Sequence, residues 1–270
     1  MVDNKRKFWT VGQIDATGVR GPHEKELEDI SKNKYPLFIN VDMEKLRYIM
    51  VENIGGKIEN IGFNEDWAIS LEMFPDVNIH MAYSYFGDEF GDGIEAEFKF
   101  YFSGKHVTWV PGEDSATYID IVMDFIGRLV QNEEPFERNF NQKTELMEKV
   151  LTQRSEPFEY LKEKDKNDLA EFIGAKVWKT PNGWRIKKEI FPQMFVEITW
   201  NTQEGLDISF SGEKLKNMSS YHAEFVGIFI INHVLRYITI SNQDKKLPDI
   251  CYIMFSRKYT KEMNWEHRRT

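Results

Sequence analysis

Two hydrophobic periods alternate along this chain. From residue 67 apolar residues recur at every second position. Trp67, Ile69, Leu71 and Met73 alternate with Ala68, Ser70 and Glu72, and Val77, Ile79, Met81 and Tyr83 with Asn78, His80, Ala82 and Ser84. Ile94, Ala96, Phe98, Phe100 and Phe102 then alternate with Glu95, Glu97, Lys99 and Tyr101. Period two over three successive segments predicts an antiparallel sheet with one buried face and one solvated face. On either side the period becomes helical. Asp42 reads as an N-cap to a helix carrying Met43, Leu46, Ile49, Met50 and Ile54, and Gly55-Gly56 ends it in the left-handed geometry that glycine permits. Asp114 or Ser115 is expected to cap a second helix, apolar on most sides from Tyr118 to Val130, with one polar stripe at Asp120, Asp124, Gly127, Arg128 and Gln131.

The same order of landmarks then recurs. Ile54-Gly55-Gly56-Lys57-Ile58, Trp67, Phe74-Pro75 and Phe102-Ser103-Gly104 return as Ile173-Gly174-Ala175-Lys176-Val177, Trp184, Phe191-Pro192 and Phe210-Ser211-Gly212. The second copy loses about nine residues between Phe-Pro and Phe-Ser-Gly, where the first holds Phe86 to Gly93. Insertions collect in hairpin tips, where they cost little closure entropy and disturb no packing. The second copy ends in a helix through Phe225, Ile228, Phe229, Ile231, Val234 and Leu235, expected to be central to the molecule.

The fold class expected is therefore α+β: a tandem duplication of a helix–antiparallel sheet–helix unit, with helices packed on one sheet face. The expected divisions are an irregular N-terminal extension (1–40), repeat 1 (41–131), a helical linker (132–166), repeat 2 (167–240), and a C-terminal strand with a basic tail (241–270). The strand is Ile250 to Phe255, and twin Glu-Pro-Phe-Glu segments at 134 and 156 flank the linker helix.

Composition narrows the function classes. Of 270 residues, 41% are hydrophobic and 14% aromatic, enough for a substantial core. No unbroken run of 18 apolar residues occurs, which argues against a membrane span, and the first residues lead to no apolar signal core. One cysteine, Cys251, leaves no internal disulfide and no multi-cysteine metal site. A cytoplasmic location without cofactor is the expectation. The net charge of −9 repels nucleic-acid backbones and suits a basic protein partner.

No nucleophile elbow, phosphate loop, zinc-binding helix or dinucleotide fingerprint appears. His80 is the one histidine placed for acid–base work, expected on the solvated face with Glu72, Glu95 and Glu97 nearby. The tip holding Asp88, Glu89, Phe90 and Asp92 is oxygen-rich but lacks calcium-loop spacing; it reads as an acidic contact loop with an aromatic anchor. Candidate binding residues are thus Asp88, Glu89, Phe90, Asp92, His80 and Glu97, with no catalytic or metal set. The expected function is an acidic protein-binding module of inhibitor or immunity type. The alternatives are a small-ligand binder or enzyme using the cleft between the repeats, and a nucleic-acid mimic.

Overall fold

The computed structural model describes residues 6–17, 21–88, 91, 93–137 and 142–265. The chain forms two compact units, Met1–Glu133 and Glu134–Thr270. The first contains α1 (Val11–Asp15), α2 (Pro22–Lys34), α3 (Met43–Ile49) continued by a π-turn, β1 (Lys57–Glu59), β2 (Trp67–Phe74), β3 (Val77–Tyr85), β4 (Ala96–Ser103) and α4 (Gly112–Gln131). The second contains α5 (Glu145–Arg154), α6 (Lys166–Ile173), β5 (Lys176–Thr180), β6 (Gly183–Phe191), β7 (Met194–Asn201), β8 (Gly205–Ser211), α7 (Ser220–Ser241), α8 (Ile250–Ile253) and α9 (Arg257–Glu262). Each unit is an α+β layer pair: a four-stranded antiparallel meander, in order β1-β2-β3-β4 or β5-β6-β7-β8, with helices on one face.

The two sheets match in register and in irregularity. Trp67 pairs with Tyr83, and Trp184 with Trp200. A register shift falls between Glu72 and Phe74 in one sheet and between Glu189 and Phe191 in the other. The hairpin turns place Asp76 and Gln193 in the left-handed region, each at φ 63°. Against those turns lie Gly104 at φ 116° and Gly212 at φ 122°. A Cβ on either would come within 2.0 Å of the Asp76 or Gln193 carbonyl oxygen, so only glycine fits. Such shared irregularities are what a duplication leaves behind.

Each core follows the period-two pattern. In the first unit Trp67 stacks on Tyr83 at 4.5 Å, and Phe38 meets Phe98 edge-on at 5.1 Å. In the second unit Ile186, Val196, Ile198 and Trp200 are buried, Ile208 and Phe210 lie against Gly227 of α7, and the residues of α7 from Val226 to Thr239 are all buried. Ser219 caps this helix by accepting from the His222 N–H. By length and hydropathy α7 is the one described helix that would suit a membrane span, yet 89% of its apolar 18-residue stretch lies inside the protein.

Three expectations are corrected. Residues 250–255 are not a strand: Ile250–Ile253 is a helical turn begun by the Cys251 N–H bonding the Pro248 carbonyl. Its carbonyl at Met254 accepts from the Nε of the fully buried Arg236, 2.7 Å away. A short apolar run carries no period that separates strand from buried helix. Helix α4 begins at Gly112, ahead of Asp114, because its cap comes from elsewhere: the buried Asp15 carboxylate accepts the Gly112 N–H at 3.0 Å. The described residues before 41 are not all irregular, since α1 and α2 belong to the first unit's helical layer.

Phe229 is 3% exposed at the middle of α7. Replacement by alanine is expected to cost roughly 3–5 kcal/mol in chemical denaturation. A loss below about 1 kcal/mol would remove α7 from the core.

Candidate functional site: the second face of the first sheet

His80 points away from the helices, as the alternation requires, but it is 2% exposed. The expectation of a solvated face fails at this point. Residues 6–9 and the loop between β1 and β2 lie over the sheet. Trp9 pairs with Phe102 through two backbone hydrogen bonds of 2.8 and 2.9 Å, extending the sheet by one bridge beyond β4. Phe8 then meets His80 edge-on at 5.2 Å and Phe63 at 5.1 Å, while Phe63 stacks on Tyr101 at 4.1 Å. Beneath them Ala68, Ser70 and Ala82 are small and buried, which leaves room for the rings.

Glu65 fixes the covering loop. Its carboxylate accepts from the backbone N–H groups of Ile61, Gly62 and Phe63. Burial alone would raise its pKa, but these bonds outweigh burial and hold it below the usual carboxylate range.

A polar chain crosses the covered face. Ser70 Oγ lies 2.7 Å from His80 Nδ1, and Ser103 Oγ lies 2.8 Å from Nε2. The Ser70 hydroxyl also hydrogen-bonds Glu59, whose carboxylate receives Arg6 at 2.9 Å and Lys57 at 2.7 Å. Assigning the hydroxyl protons from this network, Ser70 donates to Glu59 and accepts from Nδ1–H, and Nε2 accepts from Ser103. Burial, reinforced by the Arg6 charge, pulls the His80 pKa down to about 4, so the ring is neutral at pH 7. Burial would push Glu59 up, but hydrogen bonds from Lys57, Arg6 and Ser70 bring it down to about 2.

The geometry thus ties β1, β2, β3 and β4 together through side chains. It opens on a pocket of about 320 Å³ floored by Glu59, Ser70, Asn78 and His80 and rimmed by Arg6, Lys57 and Glu72. Ser103 Oγ, the hydroxyl that His80 is placed to activate, does not line that pocket and is 2% exposed. The arrangement orders a face, and of its two hydroxyls Ser70 alone lines the pocket.

The other candidate residues lie elsewhere. Glu97 faces Ser84 across the ladder and pairs with Lys99 at 2.6 Å, away from His80. Asp88 is exposed at the hairpin tip, and its carbonyl accepts the Gly91 N–H. Glu89, Phe90 and Asp92 fall outside the described residues. Among the described residues no cluster of three or more His, Cys, Asp or Glu is arranged for a metal. Cys251 is buried, which pushes its thiol up to about 12.

A second feature of this unit lies between α2 and α4. A groove of about 510 Å³ is lined by Glu26, Asp29 and Asp120 with Lys25 and Lys34. Lys34 bonds Asp124 and lies 3.6 Å from Asp120. Glu26 has its pKa raised: burial dominates, His23 partly offsets it, and the charges of Asp120 and Glu113 add to it. Periodicity alone did not place these acids together, because they come from two helices about 90 residues apart.

The His80 geometry gives a pH expectation. A histidine whose folded pKa lies below its unfolded value costs stability as pH falls from about 6.5 toward 4, where the unfolded chain takes the proton first. The loss approaches about 3 kcal/mol and is complete below pH 4. An NMR titration is expected to place the His80 midpoint near 4. Denaturation of His80→Gln is expected to lack this part of the acid dependence. A midpoint near 6.5 would mean that the covering segment does not exclude water.

No family model, curated protein or solved structure matches this chain.

Proposed function

We propose that this protein is an acidic binding module whose first unit engages a basic protein partner, as an inhibitor or immunity-type protein does. The charge is not spread over the chain. Residues 1–133 hold 13 bases and 24 acids, a net −11, while residues 134–270 hold 22 bases and 20 acids, a net +2. An acidic surface of this kind steers a basic partner and raises its association rate, an effect that salt screens.

The observation that carries the reading is the crowding in the α2–α4 groove. Glu26 sits partly buried beside Asp120 and Glu113; burial is the first cause of its raised pKa, and the two neighbouring carboxylates add to it. Lys34 answers Asp120 and Asp124, and no described cation pairs with Glu26 or Asp29. A lysine or arginine from a partner would relieve that crowding, so part of the binding energy comes from strain already present in the free protein.

The test is capture from a lysate of the native host on immobilised protein, at low and at high salt. Wild type is expected to retain basic proteins that elute as salt rises. The triple variant Glu26→Gln, Asp29→Asn, Asp120→Asn, with its fold checked by circular dichroism, is expected to lose them. The same set captured by both proteins would overturn the assignment to this groove.

A further inference from the structure

The two sheets differ on the face away from their helices. In the first unit that face carries the chain's own segment, with Arg6 on Glu59 and Phe8 on His80. In the second unit nothing among the described residues lies across it. Trp178 is 38% exposed on β5, and Arg185 and Lys176 are exposed beside it.

The registers identify equivalent positions. Lys57 opposite Ser70, then His80, corresponds to Lys176 opposite Lys187, then Glu197. Glu59 opposite Ala68 corresponds to Trp178 opposite Arg185. So where the covered face presents one carboxylate and small side chains, the open face presents an aromatic ring and cations. Its charges are also unevenly answered. Arg185 takes Glu197 at 2.7 Å and lies over Trp178 at 5.5 Å. Lys143 takes Asp207 at 2.8 Å, and Glu189 accepts the Gln193 N–H at the hairpin turn. Lys187 rests over the Phe195 ring at 4.8 Å, and Lys176 has no carboxylate partner among the described residues. Two ammonium-bearing residues directly opposite each other, with Cβ atoms about 4.5–5.5 Å apart, repel. An anion between them would remove that repulsion.

We propose that the open face of the second sheet receives an extended acidic polypeptide segment, with a carboxylate two residues before an aromatic side chain. The first unit supplies the mode. A strand-like segment places residues two apart on one side, as Arg6 and Phe8 are. The exchange of Glu59 for Trp178 and of Ser70 for Lys187 inverts the charge required. The carboxylate meets Lys176 and Lys187, and the aromatic ring lies against Phe195 beside the Lys187 stem. This surface is separate from the acidic groove of the first unit and does not depend on it.

The probe is the blocked peptide acetyl-Ala-Glu-Ala-Phe-Ala-amide, followed on the full chain by heteronuclear NMR. Its counterpart with Lys in place of Glu is the control. The acidic peptide is expected to shift the Trp178 indole N–H and the backbone amides of β5 to β7, and the Lys peptide is not. The pair Lys176→Glu, Lys187→Glu lies on the surface and leaves the core intact. It is expected to weaken the acidic peptide at least about tenfold and to favour the Lys peptide. Trp178→Ala is expected to weaken binding without changing that preference. Equal binding of both peptides to wild type, or acidic-peptide binding unaffected by charge reversal, overturns the proposal. So does an oligothymidylate that binds this face more tightly than the peptide, which would make single-stranded nucleic acid the occupant. A concentration-dependent dimer in sedimentation, abolished by the charge reversal, also overturns it, because a second copy would then be the occupant.

Discussion

A four-stranded antiparallel sheet has two faces, and one layer of helices buries only one of them. Everything distinctive about this protein follows from how each unit answers that constraint. Both units solve the first face alike, with a meander whose hairpin turn, bulge and packed glycine superimpose in kind. They part on the second face. The first unit spends residues 6–9 and the seven-residue loop 60–66, organised by Glu65, to cover it, and must then satisfy the polar groups it buries. The His80 network is the result. Among the described residues of the second unit nothing crosses that face, and it carries exposed side chains such as Lys176, Trp178 and Arg185.

Much of the fold was legible because it rests on local period. The strands of both sheets, the duplication, and the helices at Asp42 and Ser219 all follow from spacing within a few residues. What was illegible depends on contacts distant in sequence. The cap of α4 comes from Asp15, 97 residues earlier. The burial of His80 depends on Phe8, 72 residues before it. One signal was nonetheless present. A solvated sheet face has no reason to carry Ala68, Ser70 and Ala82 together, since β-sheet surfaces favour larger or branched side chains. Small residues in register on a nominally wet face mean that something bulky lies above them.

The same signal distinguishes the two units. At the positions of Ala68 and Ser70 the second sheet has Arg185 and Lys187, side chains too long to sit beneath a covering ring. Duplication preserved the layer that folds the unit and released the opposite face. A structural histidine network in one copy and a surface carrying Trp178, Arg185 and Lys187 in the other are two outcomes of that release.

Charge divided along the same line. A net of −9 over the whole chain hides −11 in one unit and +2 in the other, so whole-chain charge says little about what either surface attracts. At physiological salt the screening length is about 8 Å, shorter than a unit is wide. Each surface therefore acts through its nearby groups. The α2–α4 groove gathers Glu26, Asp29 and Asp120, while β5 and β6 bring Lys176 opposite Lys187, and neither grouping is visible in the sum. Net charge is therefore a property of each unit's local groupings, not of the chain as a whole.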